Sequence, residues 1–470
     1  MSNHRNDQRD LALKKLAERF EGSYQRGQHI FLSQEEFEDL LSYYFGHEEF
    51  DQALSVADVA IRHYKFTPEF YKWKALLHKI NAHEEAAMQA LEQLNIFAPA
   101  DVESLMLRLE ILVHFDRRDD ARDTLDQLTL IVDSKEHRSG LVYYDGILLL
   151  QEGQVAPAFT AFCESIRLDP HQEAAMAEII ENQSFHRKLT SFIELLRELL
   201  EADSFNDLLW FYLGLSQDLN GDDVAAHEAF GFALALNDLR PDYQLEYADK
   251  LFDLDRFDQA LKAYRRYFSL PEAEHSYETS MRMGRSYQML ENYHAAKDAY
   301  LRAAELAPNM YDIYQHLAEC CLAEEKWGAA AHYYERSVNC PNHTADCWLG
   351  IAYCSATTNE PVRAEEAFLK ALEMQPQNSD ASVTYALFLV EQGRERDALG
   401  VIENARNYPI DAALAYGTVA INLVCNKRRA ALMHLSEALS NYYDEHIYLL
   451  EWCPELADDP EIVAMLQLYK

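Results

Sequence analysis

The stretch "WFYLGLSQDLNGDDVAAHEAFGFALALND", residues 210–238, reads as two short helices joined by a turn. Trp210, Leu213, Gly214 and Gln217 recur at intervals of three and four, the spacing of one helix face. Ala226, Phe230 and Ala233 do the same in the second half. The small residues Gly214 and Ala226 allow the helices to approach closely, with Phe230 filling the space beside them. "DLNGDD" supplies the turn and a cap for the second helix.

The pattern recurs along the chain. Ala226 has counterparts at Ala53, Ala87, Ala121, Ala158, Phe192, Ala260, Ala296, Ala330, Ala364, Ala398 and Ala431. Successive steps are 34, 34, 37, 34, 34, 34, 36, 34, 34, 34 and 33 residues. Positions not used to set this mark agree with it. The fourth residue after the mark is large and apolar everywhere except Ala57. Proline follows the mark by eleven or twelve residues at Pro99, Pro170, Pro271, Pro308, Pro341, Pro376 and Pro409, where it would stop the second helix. A small residue precedes the mark by twelve at Gly146, Gly214, Ala248, Gly284 and Ala318, whereas Gly350 precedes its mark by fourteen.

Trp210-Leu213-Gly214-Ala226-Phe230-Ala233 resembles the tetratricopeptide repeat fingerprint, as do the units carrying Gly284-Tyr287-Ala296-Tyr300-Pro308 and Gly350-Tyr353-Ala364-Phe368-Pro376. The resemblance implies an all-α, right-handed α-α superhelical solenoid of about twelve helix-turn-helix repeats. A lone hairpin cannot bury its apolar face, whereas a stack of hairpins can. Residues 33–443 form the expected array, 1–32 an extra or capping helix, and 444–470 capping helices. Bends are expected near 133–140, in the degenerate unit 173–206, and near 270–277.

Composition narrows the function. The formal charge of −37 opposes binding to a phosphate backbone, so no nucleic-acid partner is expected. No apolar run is long enough to span a bilayer, and "MSNHRNDQRDLALKKLAERF" contains no signal-peptide core. Eight cysteines without framework spacing suit a reducing compartment, so the expected location is cytoplasmic.

Phosphate loops, nucleophile elbows and the H-E-x-x-H motif are missing; "HEEAA" at His83 has Ala87 where a second histidine is needed. Cys340, Cys347 and Cys354 are spaced by seven, without the close pairs of a structural zinc site, and read as small apolar fillers. No enzyme activity, cofactor or metal is expected.

The resemblance implies that the first helix of each unit lines the concave side. There the candidate partner-binding residues are Tyr143, Tyr144 and Ile147 with Phe211, Tyr212 and Leu215, and Ala177 and Glu181 lie between them in sequence. Such a groove would take a protein or peptide with a large apolar anchor and a basic flank. The competing reading is that these aromatics only fill space. Arg282 and Arg285 form a second candidate, suited to a carboxylate. The chaperone-tail clamp of some relatives does not fit, because the corresponding positions include Asp249 and Glu319. The expected function is a protein-interaction scaffold. A regulatory or sensor subunit is the alternative, an enzyme without motifs ranks last, and self-association by end-to-end stacking stays open.

Overall fold

The computed structural model describes residues 2–26, 28–454 and 459–469. Among them the chain is all-α, with twenty-seven α-helices, two 3-10 turns and no strand. It divides into two compact units, Met1–Asp238 and Leu239–Lys470. Each unit contains six helix pairs of the repeating kind, and within each unit successive pairs stack on one another. A helix spanning Ser2–Gln25 precedes the first pair, and helices Ile447–Trp452 and Pro460–Leu468 follow the last.

The mark lies in the second helix of every pair and is buried at all twelve positions. Close approach explains why the position twelve residues before the mark is small. A Cβ added to Gly214 would lie 2.6 Å from the Phe230 ring, and one on Gly146 would lie 2.7 Å from the Phe162 ring. Gly284 faces Tyr300 in the same way. Gly350 faces Tyr334, the bulky residue of the preceding pair rather than its own. That explains its offset of fourteen: Ala352, fully buried, holds the ordinary position in its unit.

The turn inside each pair is equally regular. Glu48, Ala82, Asp116, Gly153, Gly221, Asp255, Glu291, Glu325, Asn359, Gly393 and Asn426 each place one left-handed residue between first and second helix. Only three of these eleven are glycine, so stacking imposes this conformation on residues that disfavour it. Asp222 then caps the following helix by accepting from the Ala225 amide at 3.1 Å.

The irregular steps have separate causes. The first helix of the fourth pair, Lys135–Gln151, has 17 residues where most first helices have 13. The step of 36 reflects a longer connection between Tyr267 and Tyr277. In the degenerate unit the first helix shortens to Glu173–Glu181, and a 3-10 segment, Gln183–Lys188, replaces the tight turn. Its Phe185 is fully buried, with ring centres 5.6 Å from Phe159 and 5.9 Å from Phe162. Phe192, at the mark, is also fully buried, so aromatic mass fills this unit in place of alanine-mediated contact.

Ion pairs tie neighbouring repeats at the surface. Lys72 meets Glu103 at 3.0 Å, Arg122 meets Glu152 at 3.0 Å and Arg394 meets Glu365 at 2.7 Å. Exposed pairs of this kind contribute about 1 kcal/mol or less each, so packing dominates the stack.

Two glycine substitutions separate packing from propensity. Gly214→Val should destabilise the protein by about 1–3 kcal/mol through overpacking against Phe230. Gly400→Ala, in a helix where an added Cβ meets nothing within 4 Å, should stabilise it by about 0.5–1 kcal/mol. Thermal melts monitored by circular dichroism at 222 nm check both; equal shifts would refute the close-approach account.

Candidate functional site

The first helices carry a recurring stripe at positions eleven and fourteen before each mark. Tyr144 and Ile147 occupy it in helix Lys135–Gln151, and Tyr212 and Leu215 in helix Asp207–Leu219. Arg282 and Arg285 occupy it in helix Tyr277–Met289 of the second unit.

In the first unit, Tyr143, Tyr144 and Ile147 are all half-buried. Tyr143 meets Tyr144 edge-on with ring centres 5.1 Å apart, and its other neighbour is Phe162 at 5.9 Å. Tyr144 and Ile147 also lean on the local core around Leu105 and Leu109. The pair of rings is therefore anchored below and partly open above.

Three carboxylates act electrostatically on the Tyr143 hydroxyl. Burial pushes its pKa up to about 12, with Glu178, Glu110 and Glu181 adding to the shift. Burial also raises Tyr144, with Glu110 contributing. Glu110 comes from helix Val102–His114 and is paired with Lys79. Glu178 and Glu181 come from Glu173–Glu181, and neither has a cationic partner among the described residues. Burial, with repulsion from Glu181, raises the Glu178 carboxyl above the ordinary glutamate range. The composite is an aromatic step edged by uncompensated negative charge.

The expected stripe closes at its other end. Phe211 and Tyr212 are each only 6% exposed. Phe211 packs on Phe230 at 5.7 Å and on Tyr212 at 5.5 Å. These two rings fill the interior instead of lining an open groove. Leu215 is half-buried. Trp210, which shares a helix face with Leu213 and Gly214 in the repeat pattern, is half-buried and meets Phe232 with ring centres 4.5 Å apart and planes tilted by 31°.

Glu110 and Glu178 were not singled out by sequence. A signal for them exists, since they share the offsets of eleven and fourteen with Ile147 and Tyr144. In so acidic a chain, carboxylates at those positions do not stand out until burial distinguishes them.

The second unit is described by itself. The Arg282 and Arg285 guanidinium groups lie 5.7 and 5.4 Å from the Phe252 ring centre, within cation–π range. Arg282 is 3.0 Å from Asp249, which also accepts a hydrogen bond from Tyr264. Burial raises the Asp249 carboxyl. Arg285 is exposed and has no carboxylate partner among the described residues. The two arginines thus divide, one held by its own unit and one free to take an anion.

The cysteines give no reactive centre. Seven of the eight are buried, and burial pushes the Cys163 and Cys354 thiols up to about 11. Among the described residues no cluster of histidine, cysteine and carboxylate could hold a metal ion. Nor, among them, is any helix long and apolar enough to cross a membrane.

Residues 281–344 match the family model of the tetratricopeptide repeat. The same helix-pair arrangement recurs at every mark, so the fold is an α-α solenoid of the tetratricopeptide-repeat kind. It is 26% identical over 134 residues to the human protein O-mannosyl-transferase TMTC3, a match covering 25% of this chain and 15% of that protein. It is likewise 26% identical over 109 residues to the bovine BBSome complex member BBS4, covering 23% of this chain and 21% of that protein. The chain thus spans about a fifth or less of the length of these curated relatives.

Among solved structures, it is similar to MamA at 21% identity, over 35% of this chain and 95% of that one, with a TM-score of 0.33. YrrB, described as a tetratricopeptide-repeat protein with an unusual peptide-binding site, is 20% identical over 38% of this chain and 92% of its own, with a TM-score of 0.33.

Glu178 gives a test with a definite sign. Its folded pKa lies above the unfolded value, so the ionised form is disfavoured by the fold. That cost is fully present above the folded pKa and vanishes below the unfolded one, about 4.3. Glu178→Gln should therefore raise the melting temperature at pH 7 and leave it unchanged near pH 4. A lower melting temperature at pH 7 would show that the carboxylate is compensated.

Proposed function

We propose that this chain is a non-catalytic protein-interaction scaffold whose first unit binds an extended peptide along the inner face of its first helices. Tyr143, Tyr144 and Ile147 form the seat for an apolar anchor. Glu110, Glu178 and Glu181 receive lysine or arginine beside that anchor. Leu215 continues the apolar surface, and Phe211 and Tyr212 support it from within.

The observation that carries this reading is the pair of carboxylates, Glu178 and Glu181, without cationic partners beside two half-open tyrosine rings. Holding a partly buried charge uncompensated is unfavourable, and a cationic ligand removes that cost on binding. The rings add specificity, because aromatic side chains at the edge of a core present a rigid surface with little rotamer entropy to lose. Peptide binding by the similar protein YrrB is consistent with the reading. A cytoplasmic location is part of it.

A fluorescently labelled peptide library, varied at an apolar anchor and its two flanks, tests the proposal by anisotropy on the full chain. Peptides with a large anchor and a Lys or Arg flank should bind best. Glu178→Gln/Glu181→Gln should weaken them about tenfold or more, and Tyr143→Ala should do the same. Affinity should fall as the pH drops from 7 towards 5, because Glu178 takes up its proton earlier than an ordinary glutamate. Equal binding of acidic-flanked peptides, or indifference to both sets of substitutions, would overturn it.

A further inference from the structure

We infer that the sixth pair, in the first unit, carries a separate docking groove that takes a cationic side chain, arginine or lysine, of an extended segment from a partner protein. The groove runs between the second helices Leu189–Ala202 and Asp223–Leu236, across the first helix Asp207–Leu219. It has a volume of about 500 Å³. Trp210 and Phe232 close one end with ring centres 4.5 Å apart, and the buried Leu213 and Ala229 form an apolar floor. Gln217 marks the other end, roughly 10 Å along the helix from Trp210.

The groove departs from the repeat at two places. Six residues after the mark, ten of the twelve pairs carry a charged or amide side chain, Val59 is buried, and Phe232 is a ring 52% exposed. Sixteen residues before the mark, the ninth and tenth pairs have an aromatic ring as the sixth does. There Arg336 lies over Tyr314 at 4.2 Å and Lys370 over Trp348 at 4.1 Å. The sixth pair keeps the ring, Trp210, and sets a second ring where those pairs have the cation. Among the described residues no cation lies over either ring. The second departure is Gln217. Nine residues before the mark, Leu251 and Leu389 are buried hydrocarbon. Gln217 is buried there too, and its Oε1 has no hydrogen-bond partner. A backbone N–H laid along the groove satisfies that acceptor, and an extended chain covers the distance from the rings in about three residues.

Charge agrees with a cation. Glu201 and Glu228 edge the groove from opposite walls, both exposed and without a cationic partner among the described residues. Arg197 also lines it, so one negative charge is in excess. The rings decide between a cation and a neutral group, because the chain itself places cations on the equivalent rings of the ninth and tenth pairs. The groove shares no residue with the first-helix stripe and does not depend on that reading.

Three short labelled peptides, identical except for a central arginine, citrulline or leucine, test the assignment by anisotropy. They are titrated on the full chain carrying Tyr143→Ala/Glu178→Gln/Glu181→Gln, so that the outcome bears on this groove alone. The arginine peptide should bind about tenfold more tightly than the other two. Phe232→Lys, which copies the Lys370 arrangement, should erase that preference with far-UV circular dichroism and melting temperature unchanged. Glu201→Gln/Glu228→Gln, at exposed positions, should reduce it about threefold or more. Gln217→Leu, which copies Leu251, should weaken the arginine peptide by a similar factor without lowering the melting temperature. Equal affinity for leucine would make the occupant apolar, and equal affinity for citrulline would make it planar and neutral; either overturns the inference. So does an arginine preference that survives Phe232→Lys, or a parent chain that binds none of the three.

Discussion

The close approach of two helices at a small residue is the contact on which the rest of this protein depends. Gly214 under Phe230 and Gly146 under Phe162 leave no room for a Cβ. The bulky ring then occupies the space that the missing side chain would have taken. That geometry fixes both the depth of each hairpin and the surface it offers to its neighbours. Neither helix of a pair could be stable alone at thirteen or fourteen residues. Stability comes from repeating one interface, so tight packing is needed at every mark, and surface ion pairs add little.

The same constraint explains the strained turns. Glu48, Asp116, Glu291 and Glu325 adopt the left-handed region without being glycine. A residue there costs of order 1 kcal/mol, and the cost persists because the helices on either side are already positioned by the stack. The fifth pair, which lacks this turn, also lacks alanine at its mark and fills its interior with Phe185 and Phe192. Turn and mark are lost together because both serve the same close approach. The first helix of this pair, which bears Glu178 and Glu181, is also short, at 9 residues.

How much was legible in the sequence follows from these physics. Any packing rule that acts at every repeat leaves a periodic trace, so the number of pairs and the role of Gly214 could be read directly. Even the displaced Gly350 was visible, although only its contact with Tyr334 explains it. The candidate site was half legible. Sequence set Tyr143, Tyr144 and Ile147 beside Phe211, Tyr212 and Leu215, but periodicity does not tell an open position from a closed one. Tyr144 and Tyr212 hold the same offset, and one is half-open whereas the other is buried. The difference depends on how far each neighbouring helix pair closes over the ring, which no local pattern encodes. Glu178 was hidden for another reason: its identity is common in this chain, and only its burial is unusual.

Net acidity changes meaning once these placements are known. Most carboxylates here sit on solvated faces or in exposed pairs with lysine and arginine, where salt screens them and their effect on the fold is small. Glu178 and Glu181 differ because they flank partly buried rings without a counter-ion. Arg285 and Arg429 are the converse, cations left unpaired where acids abound. A stack built only for stability would pair or remove groups like Glu178, since an uncompensated, partly buried charge opposes folding. The repeats tolerate them because each interface is stabilised mainly by its own apolar contacts, so one unfavourable position does not spread. That independence lets a repeat protein present anionic and cationic surfaces at different places along one chain while every pair keeps the same core.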